Sequence, residues 1–413
     1  MSYKKTVLDN GITVLSEHIE HVRSISVGVW INAGSRDETP PNLGIAHFLE
    51  HMLFKGTKNR SKIDIAFFLE YLGGAVNAYT SKEYTCIYAR CLEEHLQQSI
   101  DLISDLLLHS TFPDEELEKE KEVVIDEIND IKDSPGDLLF DKFYEDIFPK
   151  HSLGHPISGF EENVLNFKRE ICTEFITQNY IPDRIVITAS GYIDHKKLVQ
   201  YVEQFFTFKK DIITTKRVLN PPQPIKEFEK IYSTEKNQQT HFCIGTRTFS
   251  YTDSDRYKLL ALNAILSGGM SSRLFQNIRE EYGISYDIGS FTDFFHDAGC
   301  MGIYAATNPK NSDMCIDLIH KEVDKLVHEK VDETELQRTK ALLKSSILIG
   351  LESTSARMNR LAKQYIYLKE VYPIDKVIKN IEKITPEDLQ ELAIRLFDGV
   401  DYVTTILRST NGN

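Results

Sequence analysis

Apolar positions along the chain change period several times, and each change marks an element. TVLDNGITVL (residues 6–15) places two short apolar runs on either side of Asn10-Gly11, a pair suited to a tight hairpin turn. SISVGVWINAG (24–34) alternates and ends in glycine, which predicts a strand. A polar loop, SRDETPPN, leads into GIAHFLEHMLFKGT (44–57), where the apolar spacing predicts a helix. Residues 71–91 read as a pair of strands and residues 96–109 as an amphipathic helix. DEELEKEKEVVIDEINDIKD (114–133) follows Pro113, with Asp114 suited to the N-cap, and stops before Pro135-Gly136. IVITASGYI (185–193) predicts another strand.

The pattern then lapses and restarts. Residues 208–237 are charged, weakly periodic and contain PPQP at 221–224, and they read as a linker. After it, THFCIGTRTF (240–249) echoes SISVGVWINAG, and YKLLALNAILSGG (257–269) echoes GIAHFLEHMLFKG. CMGIYAATN (300–308) echoes TCIYARC, and VDETELQRTKALLKSSI (331–347) echoes PDEELEKEKEVVIDEI. The same elements in the same order, offset by roughly 215 residues, predict a duplicated unit. Each unit reads as strands plus helices packed on one face, an α+β arrangement. The division expected is 1–210, a linker at 211–236, and 237–413.

Composition narrows the classes. A chain of 413 residues exceeds one hydrophobic core, and 41% apolar with 27% charged residues describes a globular protein. No apolar run is long enough to span a bilayer, and the N-terminus shows no leader pattern, so a cytoplasmic protein with no membrane partner is expected. The cysteines (Cys86, Cys91, Cys172, Cys243, Cys300 and Cys315) lack C-x-x-C spacing and read as reduced, mostly buried thiols. A net charge of −14 argues against a nucleic-acid partner and is compatible with basic ligands.

One stretch carries chemistry. His47 and His51 stand four apart, on one helical face, with Glu50 beside them. Two imidazoles one turn apart can share a tetrahedral zinc ion, and the adjacent carboxylate can reach the same centre without ligating. The repeat supplies a control: matched by their neighbours, these three positions fall on Leu260, Asn263 and Ala264. The second copy keeps the helix without the polar residues. HSLGHPISG also pairs histidines, His151 and His155, but Gly and Pro mark a loop and no carboxylate partner is evident, so that pair reads as structural.

H-x-x-E-H is the inverted zinc motif, and the chain resembles the pitrilysin/insulinase-like metallopeptidases, which include the mitochondrial processing peptidases. In that family the third ligand is a glutamate about 75 residues downstream, with another glutamate seven residues before it. Here Glu127 lies 76 residues after His51, and Glu120 lies seven before Glu127. The resemblance therefore implies one Zn²⁺ per chain held by His47, His51 and Glu127, Glu50 as general base, and Glu120 orienting a histidine. The corresponding second-copy positions are Thr339 and Ser346.

IREEYGISYDIGS (278–290) carries Arg279 and Tyr286 seven apart, after the glycine-rich LSGGMSSRLF, and resembles the family's C-terminal signature. The resemblance implies that this pair acts on the substrate side of the zinc. Asn77 and Ala78 resemble the family's edge strand, which accepts an extended peptide as an added strand. The whole resemblance runs nearly end to end and is closest to short bacterial members. It implies two homologous halves that form half of a clamshell chamber, completed in a homodimer, and cleavage of short or unfolded peptides. A non-catalytic structural or peptide-binding subunit is the alternative, although such subunits typically lose part of H-x-x-E-H, which is complete here.

Overall fold

The computed structural model describes residues 3–71, 73–208, 217, 219–226, 228–234 and 238–409. The strands are β1 (Lys4–Val7), β2 (Thr13–His18), β3 (Ser24–Ile31), β4 (Ala75–Thr80), β5 (Thr85–Leu92), β6 (Ile185–Gly191), β7 (Phe228–Thr234), β8 (Thr240–Thr248), β9 (Asp287–Phe294), β10 (Gly299–Thr307) and β11 (Val403–Ser409). The first-half helices are α1 (Ile45–Met52), α2 (Lys62–Tyr71), α3 (Leu96–His109), α4 (Asp114–Asp133), α5 (Pro135–Ile147), α6 (Glu161–Leu165), α7 (Arg169–Asn179) and α8 (His195–Phe205). The second half adds α9 (Arg256–Ser267), α10 (Ser312–His328), α11 (Glu333–Gly350), α12 (Thr354–Leu368), α13 (Ile374–Glu382) and α14 (Pro386–Phe397).

Two sheets form, ordered β1-β2-β6-β3-β5-β4 and β7-β11-β8-β10-β9. Leaving β1 aside, the orders are identical once β2 is matched to β7, β3 to β8 and β6 to β11. In each sheet the first matched pair is parallel (β2 with β6, β7 with β11) and the remaining pairs are antiparallel. The duplication read from order alone is thus a duplication of topology, and the fold is α+β with two homologous halves. The Asn10-Gly11 hairpin forms between β1 and β2, with Gly11 at φ 101°.

Three expectations need correction. The linker contains a strand: β7 pairs in parallel with β11 from Val403 opposite Phe228 to Ser409 opposite Thr234. β7 is an edge strand with mostly exposed side chains, so burial imposes little alternation on its sequence. Residues 211–216, 218, 227, 235 and 236 of the linker lie outside the described residues. Asp114 is the first helical residue of α4 rather than its cap. Leu117 N–H donates to Pro113 O at 2.9 Å, and the Asp114 carboxylate pairs with Arg169 at 2.9 Å.

The third correction concerns the faces of the sheets. Ile25, Val27, Val29 and Ile31 of β3 face the core formed with α1, α3, α7 and α8, as the alternation predicts. The opposite face is covered too. Leu15, Trp30, Cys86 and Val186 pack against Met358, Leu361, Ala362, Tyr365 and Ile366 of α12. Burying side chains such as Leu361 and Ile366 there contributes about 1.5–3 kcal/mol each. Gly28 makes room: a Cβ there would sit 3.2 Å from Met358 Sδ. The second sheet repeats the device, with Leu139, Phe143 and Ile147 of α5 against Cys243, Cys300, Val403 and Leu407. At the matching glycine, Gly245, a Cβ would lie 2.5 Å from Phe143. The two compact units are therefore interleaved in sequence: Met1–Asn129, His155–Val218 and Gly350–Pro373 form one, and Asp130–Gly154, Leu219–Ile349 and Ile374–Asn413 the other. All six cysteines are buried free thiols, and no described helix is long and apolar enough to cross a membrane.

Candidate metal centre

α1 is eight residues long and buries Ile45, Ala46, Phe48, Leu49 and Met52 in the first core. Its remaining face carries His47, Glu50 and His51, all half-buried. α4 crosses nearby. It buries Leu117, Glu120, Val124 and Ile128, which leaves Glu120 and Glu127, two turns apart, on adjoining positions of one side.

The His47 and His51 rings lie 4.7 Å apart between centroids. His47 Nε2 is 3.6 Å and His51 Nε2 3.5 Å from the same oxygen, Glu127 Oε2. One ligand atom from each residue lies within 4.8 Å of the others, and this is the one such group among the described residues. Metal–ligand bonds of about 2.0–2.2 Å at tetrahedral angles place ligand atoms ~3.3–3.5 Å apart. The donor set therefore fits a zinc ion in both spacing and chemistry. His51 Nδ1 meets Glu120 Oε1 at 2.9 Å, which turns Nε2 toward Glu127. Lys55, one turn beyond His51, places Nζ 2.5 Å from the other Glu120 oxygen.

Burial sets the charges. It lowers the His47 pKa to about 4, with the neighbouring His51 adding to the effect, so this imidazole is neutral with a free lone pair at ordinary pH. Burial also pushes His51 down, but the Glu120 hydrogen bond and the charges of Glu127, Glu120 and Glu50 outweigh it and the net shift is upward. Burial raises Glu50, against the pull of its hydrogen bond with Thr80. Burial likewise opposes ionisation of Glu120, but His51 and Lys55 hold its carboxyl below the usual range.

Thr80 ends β4, which is the edge strand of the first sheet and hydrogen-bonds only to β5 among the described strands. Asn77 on this strand is exposed and its Oδ1 accepts from Ala78 N–H at 2.9 Å, while Ala78 is buried. Arg279 and Tyr286 lie in the second unit and meet each other. Arg279 sits in a π-helical turn (Phe275–Glu281), donates to Tyr286 O at 3.2 Å and stacks over Phe275 at 4.7 Å. Tyr286 is 76% exposed. His151 is held in its loop by Asn220 O at 2.7 Å and by Leu153 N–H. Sequence reading passed over Lys55, although its position four after His51 on a continuing helical turn was a usable signal. It also passed over Glu38, which lies in a polar loop with no periodic pattern to mark it.

The chain is similar to known proteins in family and fold. A family model described as Insulinase (Peptidase family M16) matches residues 13–160, and one described as Peptidase M16 inactive domain matches residues 166–343. The uncharacterized zinc protease YmxG of Bacillus subtilis is 36% identical over 410 residues, 99% of each chain. An uncharacterized zinc protease of Streptomyces coelicolor is 34% identical over 397 residues, 94% of this chain and 86% of its own. A protease from Helicobacter pylori has the same fold, with a TM-score of 0.90 at 22% identity over 98% of this chain and 99% of its own. So has a peptidase M16 inactive domain protein from Pseudomonas fluorescens, with a TM-score of 0.92 at 18% identity over 99% of both.

Proposed function

Because the chain belongs to peptidase family M16, the insulinase family, we propose that it is a zinc-dependent endopeptidase acting on short or unfolded peptides. The observation that carries this reading is the convergence of His47 Nε2, His51 Nε2 and Glu127 Oε2, with Glu50 beside them. When bound, zinc supplies a Lewis acid that brings a water's pKa to about 7 and polarises the scissile carbonyl. Glu50 takes the proton of the attacking water on its carboxylate and returns it to the leaving amine nitrogen. Glu120 fixes the tautomer and direction of His51.

The free edge of β4, at Asn77 and Ala78, receives the substrate as an added strand, so that main-chain hydrogen bonds give affinity with little sequence choice. Arg279 holds a peptide carbonyl and the Tyr286 hydroxyl donates to the developing oxyanion. In this reading residues 1–210 bear the metal and residues 237–413 contribute to substrate binding. Two copies close a chamber in the cytoplasm, and the −14 charge favours basic peptides.

The deciding experiment measures zinc per chain and cleavage of a mixed library of short peptides, with and without a chelator. About one zinc per chain is expected, with cleavage lost on chelation and restored by zinc. A chain that takes up no zinc overturns the reading. Tyr286→Phe should lower kcat about 10²-fold at unchanged zinc content; unchanged kcat removes Tyr286 from the oxyanion role.

A further inference from the structure

The start of α1 lacks its own cap. Gly44 occupies the N-cap position at φ 93° and has no side chain to accept the helix's first N–H groups. No other residue fits easily there. The φ is one that L side chains rarely adopt, and a Cβ would lie 2.5 Å from Ser158 O and 2.9 Å from Gly159 Cα. The missing acceptor comes from elsewhere. Glu38 Oε2 accepts from Gly44 N–H at 2.7 Å, and Glu38 Oε1 accepts from Ala46 N–H at 2.8 Å. Ala46 immediately precedes His47.

Glu38 is itself 8% exposed, and burial drives its pKa up to about 8 against the pull of the Gly44 and Ala46 N–H groups and of Lys82. With both oxygens engaged by main-chain N–H groups at the start of α1, this buried carboxyl group is held in one place. The turn that presents it is also fastened. Ser35 and Arg36 N–H donate to Ser81 O and Lys82 O at 3.2 and 2.7 Å. The Arg36 guanidinium bonds Glu83 at 2.8 Å, and Asp37 receives Arg217 at 2.6 and 2.9 Å and Gly34 N–H at 3.0 Å. Residues 81–83 continue from Thr80, the residue that bonds Glu50. The strand end that touches the base and the turn that holds the helix start are thus one fastened assembly.

We propose that Glu38 is a positioning residue of the metal centre: by standing in for the absent cap of α1, it sets where His47 and Glu50 project. This inference rests on the peptidase reading above. It is tested by measuring zinc affinity, kcat and KM for Glu38→Gln and Glu38→Leu beside Glu17→Gln. Glu17 is a buried carboxylate of the same unit that bonds Arg357 at 2.8 Å, so its variant controls for general loss of stability. Glu38→Gln keeps the reach and one good acceptor, and roughly tenfold weaker zinc binding is expected, with kcat falling and KM steady. Glu38→Leu, without acceptors, should weaken zinc further, and Glu17→Gln should leave it unchanged. Zinc binding equal to the parent's in both Glu38 variants, or an equal loss in Glu17→Gln, overturns the proposal.

Amide hydrogen exchange on the parent chain gives a reading that does not depend on a variant folding. Gly44 and Ala46 should be protected, although first-turn amides ordinarily lack an intrahelical partner. Exchange at the rate of an unstructured peptide overturns the proposal. A parent that binds no zinc overturns the peptidase reading and this inference with it. A zinc-binding parent with unaffected Glu38 variants overturns this inference alone.

Discussion

The two copies of the repeat solve the same packing problem with different chemistry. In the first, α1 and α4 meet through His47, His51, Glu120 and Glu127, with Lys55 closing the row. In the second, Ala264 of α9 and Gly268 just after it line a small cavity with Thr339 and Leu342 of α11, and the nearby charges form a two-point pair from Arg273 to Glu335 at 3.0 and 2.8 Å. Thr339 turns its hydroxyl back onto Glu335 O at 2.9 Å, bonding its own helix. The sheet order beneath is the same in both copies. A helix pair of this shape therefore does not need a metal to hold it. In the first copy, burial takes the His47 pKa to about 4 and raises that of Glu50, so these groups sit against their solvation preferences. Among the described residues the second copy bears no comparable set, and the family model matching it is described as an inactive domain.

The hardest test of this contrast writes the second copy into the first. His47→Leu, Glu50→Asn and His51→Ala together should abolish zinc uptake and peptide cleavage, while thermal unfolding in chelator stays at or above the parent's midpoint. A variant that cannot fold would break the comparison, because the polar residues would then be needed by the fold. Next in size, Glu50→Gln should keep its zinc and lose about 10³-fold in kcat; parent-like cleavage would remove Glu50 as the base. Smallest, Glu120→Thr, the residue matched in the second copy, should weaken zinc binding by about 10–100-fold and leave one zinc bound at saturating metal. An unchanged zinc dissociation constant would mean that His51 needs no partner on Nδ1.

Much of this was legible in the chain. Alternation gave β3, the apolar stretch IVITASGYI gave β6, and the echo of SISVGVWINAG gave β8. H-x-x-E-H was legible because its ligands are local, one turn apart on one helix. Glu127 and Glu120 were not derivable from spacing, since two remote helices must cross before they matter, and they came from resemblance. β7 was missed because an exposed edge strand carries little hydrophobic signal. Glu38 was missed because its partners are main-chain N–H groups, which any sequence supplies. The absence of a side chain at Gly44 was the available clue. α12 has an ordinary amphipathic pattern, and nothing in that pattern names the sheet it covers.

That last feature bears on how the chain is made. The first sheet's strands are complete once Gly191 has been synthesised, but the helix that seals its second face begins at Thr354, 163 residues later. At roughly 5–20 residues per second, that interval lasts on the order of 10–30 s. Throughout it Leu15, Trp30 and Val186 have no native cover. α5, the repeat counterpart of α12, has by then already left the ribosome with its own apolar row of Leu139, Phe143 and Ile147. The nascent chain thus carries a second apolar helix row before the native cover of the first sheet exists.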